Sequence, residues 1–429
     1  MINEAWPLRP LGELFEIGAG KTMSAAARAG DMKTPFLRTS NVLWDEIDLT
    51  TVDEMAIPAQ ELREKLLEPG DLLVCEGGEI GRAAIWNGEV KAMSFQNHLH
   101  RLRPIGDGVD PRFYVYFLQS GFTQLGLFEG AGNKTTIPNL SRNRLAALHV
   151  PHPGIGEQHR VVCALARVRE AMKVHHRSLA SAQDLQRAVM RTLFTRGLRG
   201  EPQKETEIGP MPESWGVVPL GSLGQIGSGT TPDRKNPDFW CDGNIAWITS
   251  GRMYEREITG SDTCVTSRAI ESSSLPLLKA GAVLVAIVGQ GKTLGHCAIL
   301  RVDATISRHV GFIQADQNVI APEYLRGYLE AQYDYLRQLA SGNGSTRAAL
   351  TGGILKAIPV PLPSTLDEQR EIVGILDAID RKIDLHKRKR AVLDELFKSL
   401  LYKLMAGEIR VGDLDLAALK APGVAEAAA

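Results

Sequence analysis

The stretch that decides the fold, PLGELFEIGAGKT at residues 10–22, occurs again as PLGSLGQIGSGTTP at residues 219–232. A tryptophan precedes each copy by four residues, Trp6 in the first and Trp215 in the second. The residues that recur 209 positions later are Pro10, Leu11, Gly12, Leu14, Ile17, Gly18 and Gly20. Such specific repetition indicates that one structural unit is present twice.

The repeat continues through most of the chain. LEPGDLLV (67–74) matches LKAGAVLV (278–285), and DPRFYVYFL (110–118) matches APEYLRGYL (321–329), both at an offset of 211 residues. A period of about 210 residues is far longer than a solenoid repeat, so each copy should hold at least one complete domain. The two copies should therefore form a pseudo-twofold molecule.

Composition narrows the class of protein. Of the 429 residues, 44% are hydrophobic and 23% are charged, as in ordinary globular domains, and the formal net charge is −1. Nucleic-acid binding would therefore need local basic patches. The five cysteines never form a Cys-x-x-Cys spacing, which favours reduced thiols over disulfides or a zinc knuckle. The chain lacks a signal pattern and a membrane-length apolar run, so we expect a cytoplasmic protein without a membrane partner.

Each unit has two parts. The first is rich in short apolar runs and Gly or Asn turns and has one amphipathic helix, at 111–127 or 322–339, which predicts an α+β domain. After VPHPG (150–154) or VPLPS (360–364), about 40 residues follow without a proline. Apolar residues there alternate at spacings of three and four, which predicts a coiled coil. The seam comprises Val161, Leu165, Val168, Met172, His175, Leu179, Ala182, Gln186, Val189 and Leu193, and, 211 residues later, Ile372, Leu376, Ile379, Ile383, His386, Arg390, Leu393, Phe397, Leu400 and Leu404.

The two apolar stripes should cover each other in an antiparallel pair. Each helix would be roughly 60 Å long at 1.5 Å per residue, and the linker 197–214 would reach at most roughly 60 Å. A parallel pair would leave that linker almost taut, whereas an antiparallel pair would not. We therefore predict an α+β protein with two globular domains, related by a pseudo-twofold axis and separated by an antiparallel coiled coil of two long helices.

The whole arrangement closely resembles the specificity subunit of type I restriction-modification systems, over residues 5 to 410. The resemblance is carried by VPHPGIGEQHRVV (150–162), EIGPMPESWGVVPLGSL (207–223), SGTTPDRKNPDFWCDGNIAWITSGRM (228–253) and VPLPSTLDEQREIV (360–373). The first unit departs from the family pattern at residues 18–42, which lack the TPxR run and the aromatic pair.

The resemblance implies a non-catalytic subunit without a cofactor. Each globular domain would be a target-recognition domain that reads one half of a bipartite double-stranded DNA target, and the helices would set the spacing between the halves. Two methyltransferase subunits and motor-nuclease subunits would act as partners and supply adenine methylation and restriction. The expected segments are recognition domain 1 at 1–153, a central helix at 154–200, a flexible linker and recognition domain 2 at 201–363, a C-terminal helix at 364–410 and a flexible tail at 411–429.

Two alternative functions come from other classes. FEGAG (128–132) and NPDF (236–239) approach the cofactor and base-binding motifs of a self-sufficient adenine-N6 DNA methyltransferase. Their context disfavours this, because FEGAG ends a helical pattern instead of opening one, and Asp238 replaces the second proline. A coiled-coil adaptor without DNA function is the other alternative. Binding of S-adenosylmethionine would favour the first, and absence of specific DNA affinity the second.

No metal or nucleotide site is expected. His149, His152 and His159 have metal-like spacing, but the second copy lacks them, so we interpret them as part of a helix entry. His175 and His386 share one heptad position and are interpreted as a polar layer. GKTLG (291–295) lacks the full phosphate-loop pattern.

Gly-rich loops with basic, amide and hydroxyl side chains are the candidates for DNA contact, because these groups bond base edges and phosphates. The candidates in the first unit are Lys21, Arg38, Asn41, Arg82, Gln96, Asn97, Lys134 and Thr135. Those in the second are Arg234, Lys235, Arg252, Lys292, Arg308, His309, Ser345 and Arg347. The basic run HKRKR (386–390) lies within a predicted helix, so we interpret it as a solvated face.

Overall fold

A computed structural model describes residues 6–126, 140–289, 291–341 and 348–414. The chain divides into two units, each with its own hydrophobic core. Unit 1 comprises Met1–His176 and Arg388–Ala429, and unit 2 comprises Arg177–Lys387. Two long helices pass from one unit into the other, so each unit contains one half of each helix.

Unit 1 is a mixed α/β unit that leads into the first long helix. Its elements are β1 (Leu8–Pro10), α1 (Leu11–Leu14), β2 (Phe15–Ala19), α2 (Ala25–Ala29), β3 (Lys33–Leu37), β4 (Val42–Leu43), β5 (Glu46–Ile47), β6 (Asp53–Ala56), α3 (Ala59–Lys65), β7 (Leu72–Cys75), β8 (Ala83–Ile85), β9 (Ser94–Phe95), β10 (Leu99–Pro104), α4 (Pro111–Thr123), α5 (Arg142–Ala146), β11 (His149–Pro151) and the long helix α6 (Ile155–Arg196).

Unit 2 follows a similar order, preceded by an extra hairpin. Its elements are β12 (Gln203–Thr206), β13 (Gly209–Pro212), β14 (Gly216–Pro219), β15 (Gly224–Ser228), β16 (Ile245–Ile248), β17 (Glu257–Ile258), β18 (Cys264–Val265), α7 (Ser267–Ser273), β19 (Val283–Ala286), β20 (Cys297–Leu300), β21 (Ala304–Ile306), β22 (Val310–Ala315), α8 (Pro322–Ala331), α9 (Tyr333–Ser341), α10 (Gly352–Ala357), β23 (Pro359–Leu362) and the long helix α11 (Leu366–Ala406). Short 3-10 turns include Thr39–Asn41, Ser250–Tyr254 and Pro237–Phe239.

The sheets of the two units correspond strand for strand. The order β2-β10-β7-β8 in unit 1 matches β15-β22-β19-β20 in unit 2, where β17 adds an edge strand. The order β6-β3-β9 matches β18-β16-β21, and in both sheets one pair is antiparallel and the other parallel. The apolar runs LLVC and VLVA form the fully buried strands β7 and β19. A shared topology explains why the sequence repeat survives at turns and core positions.

The long helices pair in an antiparallel sense, and each unit shows this independently. In unit 1, Val161 and Leu165 near the start of α6 share a core with Leu401 and Leu404 near the end of α11. In unit 2, Phe194 near the end of α6 shares a core with residues near the start of α11, Ile372 and Leu376. These contacts confirm the predicted α+β class with an antiparallel pair of long helices.

A buried glutamine fixes the start of each long helix. Gln158 accepts a hydrogen bond from the Asp110 amide at 2.9 Å and donates to the Gly108 and Pro153 carbonyls. In unit 2, Gln369 accepts from the Ala321 amide at 2.8 Å and donates to the Val319 carbonyl at 3.1 Å. Both side chains are buried, so they satisfy backbone groups that would otherwise lack partners.

The linker that follows α6 is ordered, so the prediction of a flexible segment was wrong. Strands β12 and β13 form a hairpin that turns at Gly209, whose φ is +97°. Met211 is buried in the core, and the Lys204 ammonium donates to the Glu213 and Trp215 carbonyls. The polar composition of this segment predicted flexibility, because only a few of its side chains, such as Met211 and Lys204, make the contacts that order it.

Two further observations concern helices. The amphipathic helix expected at 322–339 is two helices, because α8 ends before Gln332 and α9 starts at Tyr333. This break lets Tyr333 and Arg337 donate to carbonyls of the loop Gly291–Leu294. Among the described residues, no helix has the length and apolarity needed to span a bilayer. The tail from residue 415 lies outside the described residues.

Candidate nucleic-acid interface

A close backbone crossing organises the candidate residues of each unit. A Cβ on Gly20 would overlap the carbonyl oxygens of Phe95 and Gln96, so no larger residue fits there. Gly229 lies at the repeat-equivalent position, and a Cβ there would overlap the Ile306 and Ser307 carbonyls. The repeated glycine therefore lets the segment after β2 or β15 approach the turn before β10 or β22.

In unit 1 this crossing brings four candidates together. The Lys21 amide donates to the Phe95 carbonyl at 2.9 Å, and the Asn97 amide donates to the Lys21 carbonyl at 3.1 Å. The Gln96 amide donates to the Leu37 carbonyl at 2.9 Å, so the residue after Leu37, Arg38, joins the same cluster. A cleft of about 310 Å³ lies here, lined by Thr22, Met23, Arg28, Phe36, Arg38, Asp53, Gln96, Asn97 and His98.

Both cations of this cluster have acidic partners. Lys21 forms an ion pair with Glu61 at 2.6 Å, and Arg38 with Asp53 at 2.5 Å. The Arg38 pair is about half exposed, with side-chain exposures of 49% and 47%. Exposed ion pairs of this kind contribute little stability, so the Arg38 guanidinium can exchange its carboxylate for a phosphate or a base edge at low cost.

Two other candidates of unit 1 hold the loop that carries Arg38. Asn41 is buried, accepts from the Arg38 amide at 2.8 Å and donates to the Asp48 and Thr51 carbonyls. Arg82 donates to the Thr39 carbonyl at 2.8 Å and pairs with Glu79. The structure therefore uses both side chains to shape the 3-10 turn at residues 39–41.

In unit 2 the equivalent turn carries Arg308 and His309. The Ser307 amide donates to the Ile248 carbonyl at 2.9 Å, which matches the bond from Gln96 to Leu37. Arg308 is exposed, and its Nε lies 3.4 Å from His309 Nε2. The two candidates are thus adjacent on one turn, at the positions of Asn97 and His98 in unit 1.

Arg234 lies on an aromatic platform. Its guanidinium carbon is 5.8 Å from the Trp240 ring centroid and 5.4 Å from that of Trp247. The two indoles pack edge to face at 5.2 Å. Lys235 is exposed beside them, and the side chain of Asn236 accepts from the Asp238 amide, as a helix cap. The NPDF segment is therefore a capped 3-10 turn.

The other described candidates of unit 2 lie near a second aromatic group. The Lys292 carbonyl accepts from the Tyr333 hydroxyl at 2.6 Å, which leaves the Lys292 side chain exposed. His296 packs between Tyr254 and Tyr333, with ring centroids 4.6 Å apart on both sides, and burial lowers the pKa of its imidazole. Arg252 forms a two-bond ion pair with Glu255.

Some sequence candidates cannot be placed, and some neighbours were missed. Lys134, Thr135, Ser345 and Arg347, like the FEGAG segment, lie outside the described residues. Arg28 and His98 also line the unit 1 cleft, although neither is among the residues predicted from the sequence to contact DNA. The signal for His98 was its equivalence to His309, whereas Arg28 had none. Trp240 and Trp247 were visible as aromatic residues within the family-like segment.

The described residues contain no group of three or more His, Cys, Asp or Glu side chains that could hold a metal ion. Of the three spaced histidines, His152 bonds the Tyr114 hydroxyl through Nδ1 at 2.7 Å. His159 lies 3.8 Å from Asp110, beside the buried glutamine of the helix entry. This geometry serves the start of α6.

Comparisons with known proteins agree with this architecture. The family described as the type I restriction modification DNA specificity domain matches residues 3–182 and 212–395. The putative type I restriction enzyme MjaX specificity subunit of Methanocaldococcus jannaschii is 23% identical over 421 residues, 96% of this chain and 95% of that protein. The MjaIX specificity subunit of the same organism is 30% identical over 218 residues, 48% of each protein.

The fold is also similar to a solved structure. The S subunit of a type I restriction-modification system from M. genitalium has a TM-score of 0.58 at 16% identity, over 94% of this chain and 96% of that one. Two family matches cover most of the sequence, and each falls on one repeat with its sheets and long helix. The chain therefore belongs to the family of type I restriction-modification DNA specificity subunits.

Proposed function

We propose that this chain binds double-stranded DNA through two recognition domains, each of which reads one half of a bipartite target. The observation that carries the proposal is the repeated glycine crossing, which presents different polar side chains on the same backbone scaffold in the two units. One scaffold with two sets of side chains suits the reading of two different half-sites.

The proposed readers lie around the two crossings. In unit 1 they are Lys21, Arg38, Gln96 and Asn97, with Asn41 and Arg82 supporting the loop. In unit 2 they are Arg234, Lys235, Arg308 and His309, with Arg252 and Lys292 on neighbouring segments. Arg, Asn and Gln can bond base edges in pairs, whereas Lys contacts phosphates as a point charge.

The chain itself performs no covalent chemistry in this proposal and needs no cofactor. Two methyltransferase subunits would bind the long helices and methylate adenine, and motor-nuclease subunits would add restriction. The exposed basic run at residues 387–390 on α11 is available for such a partner or for the DNA backbone. We place this assembly in the cytoplasm, together with the DNA that it reads.

Domain exchange tests the proposal. Residues 1–153 are replaced by the corresponding domain of a related subunit, and methylated adenines are mapped in cells that also express the cognate methyltransferase. One half of the methylated motif should change while the other half stays the same. If both halves change together, the two units are not independent readers.

A biochemical control separates the alternatives. The purified chain, incubated with labelled S-adenosylmethionine and genomic DNA, should transfer no label. Transfer that disappears in an Asn236→Ala variant would instead support a self-sufficient methyltransferase. Absence of specific DNA affinity with the methyltransferase present would support an adaptor without DNA function.

A further inference from the structure

In unit 1, a buried carboxylate joins the recognition domain to helix α6. Asp45 lies in the turn between β4 and β5, and its side chain is only 5% exposed. It accepts hydrogen bonds from Arg112 Nε at 3.0 Å and from the Tyr116 hydroxyl at 2.9 Å. Arg169 of α6 brings its Nε within 3.5 Å of the same carboxylate and donates through Nη1 to the Trp44 carbonyl. The acid is thus on the recognition domain, and the helix supplies a base.

In unit 2, the same two positions carry the opposite charges. Arg256 occurs 211 residues after Asp45, and Asp380 occurs 211 residues after Arg169. Arg256 forms ion pairs with Asp380 and with Asp377, one helical turn earlier on α11. Arg326 of α8 lies 4.0 Å from Asp380. Here the base is on the recognition domain, and the helix supplies the acids.

On the helices, though not on the recognition domains, the reversal extends over a further turn, since the residue equivalent to Glu46 is Glu257, which pairs with Arg301. In unit 1, Lys173 of α6 pairs with Glu46 at 3.4 Å. The residue 211 positions after Lys173 is Asp384. The face of α6 next to the recognition domain is therefore basic, and the equivalent face of α11 is acidic.

Both clusters are sheltered from water, so their charges depend on each other. The side chains of Arg169 and Asp380 are 17% and 14% exposed. Burial raises the pKa of the Asp380 carboxyl and lowers the pKa of the Arg256 guanidinium, and the opposite charge of the partner works against each shift. A like-charged pair at either place would set two sheltered charges of the same sign against each other, which is destabilising, although Asp45 would keep Arg112 as a partner.

The clusters also adjoin the loops that carry candidate readers. Asp45 follows the 3-10 turn Thr39–Asn41, which Arg38 precedes, and Arg256 follows the turn Ser250–Tyr254, which contains Arg252. A charge that anchors Asp45 or Arg256 therefore anchors the adjacent turn as well.

We propose that the two clusters, which we call latches, are ion-pair contacts of opposite polarity. Each latch holds a recognition domain on its own long helix, selects that helix over the other one (keying) and positions the adjacent loop. If recognition domain 1 docked on the N-terminal half of α11, Asp45 would face Asp380, and if domain 2 docked on the N-terminal half of α6, Arg256 would face Arg169. Because the two units share one topology, repulsion between like charges would disfavour the exchanged docking. The positioning of a DNA-reading loop rests on the proposed function, whereas the keying does not.

Charge reversal in the full-length chain tests the keying. Asp45→Arg and Arg169→Asp should each speed amide exchange in residues 33–57 by at least about tenfold and lower the melting temperature. The double variant should recover part of the protection, because the pair with α6 is restored with its sign reversed while Arg112 still faces the new side chain at position 45. Glu13→Arg is the control, since Glu13 forms an exposed ion pair with Arg9 and its reversal should change little.

A four-residue exchange is the sharper test. Arg169→Asp together with Asp380→Arg gives each helix the sign of the other and should expose both recognition domains to exchange. Adding Asp45→Arg and Arg256→Asp should restore part of the protection of both domains, since Arg112 and Asp377 keep their original charges. The proposal is wrong if the fourfold variant is no better protected than the helix double variant, or if the unit 1 pair shows no recovery.

The functional consequence has its own readout. With the methyltransferase present, Asp45→Arg should relax only the half of the methylated motif that unit 1 reads, and Arg169→Asp added to it should restore that half. If protection from amide exchange recovers but the methylated motif does not, the latches act only in docking, and their role in positioning the loop is wrong. Failure of the unmodified chain to bind DNA would count against the proposed function and would leave the exchange results unaffected.

Discussion

The same kind of backbone crossing occurs once in unit 1, at Gly20, and once in unit 2, at Gly229, but different side chains surround the two crossings. At the first, Lys21 pairs with Glu61, whereas the equivalent residue in unit 2 is Thr230. Unit 2 instead places Arg234 over Trp240 and Trp247. The scaffold is set by core strands and a glycine, and the loops are free to vary without loss of the fold. This difference is what a protein needs to read two sequences with one architecture.

The largest loss of stability should come from placing a side chain at the glycine of the backbone crossing. Gly20→Ala would place a methyl group against two backbone carbonyls, which cannot move without displacing β9 and β10, so we expect up to about 3 kcal/mol of local destabilisation. Gly229→Ala should do the same in unit 2. Amide exchange of β10 and β22 should show each effect confined to its own unit.

The matched control for this comparison is Gly77→Ala, because a Cβ at Gly77 has no neighbour within 4 Å. If the amides of β10 exchanged no faster in the Gly20→Ala variant than in the Gly77→Ala variant, close approach of the backbone would not be the reason for the repeated glycine. The two units would then share a sequence pattern without sharing the constraint.

The next effect concerns the buried glutamines at the helix entries. Gln158→Leu should leave the Asp110 amide and two carbonyls without partners, at a cost of roughly 2 kcal/mol. Gln369→Leu should cost a similar amount, although it removes one fewer bond. Denaturant unfolding of each variant measures the effect, with the exposed Gln203→Leu as control. Equal stability of all three variants would contradict a role in satisfying buried backbone groups.

A smaller effect is expected at the candidate readers. Asn97→Ala and Arg308→Ala lie on equivalent turns, and each should reduce discrimination at one half-site by about 1–2 kcal/mol. Methylation mapping should show one relaxed position in a different half of the motif for each variant. Arg187→Ala, on an exposed part of α6, should leave both halves intact. Relaxation of the same half by both variants would break the correspondence between the units.

The smallest effect is a pH dependence of unit 1. His100 is buried in β10, its Nε2 donates to the Leu140 carbonyl at 2.8 Å, and burial lowers the pKa of its imidazole. Because the pKa of the His100 imidazole is lower in the folded state than in the unfolded state, the folded state is most stable above the unfolded-state pKa and loses stability as the pH falls. Stability should fall as the pH drops through the unfolded-state pKa of about 6.5, because the unfolded chain takes up the proton more readily than the folded chain.

His100→Gln retains an Nε2 donor and should flatten this pH dependence. Strand β22 of unit 2 has Gly311 at the equivalent position, so its amide exchange should respond less over the same range. An unchanged pH slope in the glutamine variant would assign the effect to other groups, such as His152, whose pKa burial also lowers.

Local pattern was enough to predict the duplication, the mixed class of each unit and the antiparallel pair of long helices. These features depend on periodicity and on residue spacing, which are properties of a linear sequence. Most of the predicted seam is buried, including Val161, Leu179, Ile372 and Phe397. Some members are partly buried, and Arg390 is the one member of the seam that is exposed.

The direction in which polar side chains point was decided by tertiary contacts. Asn41 and Arg234 both lie in loops suited to DNA contact, yet the first is buried against backbone carbonyls and the second lies over two tryptophans. The linker hairpin and the break at Gln332 likewise depend on partners distant in sequence. Sequence by itself determined what repeats, because burial and turns require particular residues at fixed spacing. Only the tertiary structure decided that Asp45 meets Arg169 while Arg256 meets Asp380, because the sign of a buried charge has meaning only against the partner that the fold brings to it.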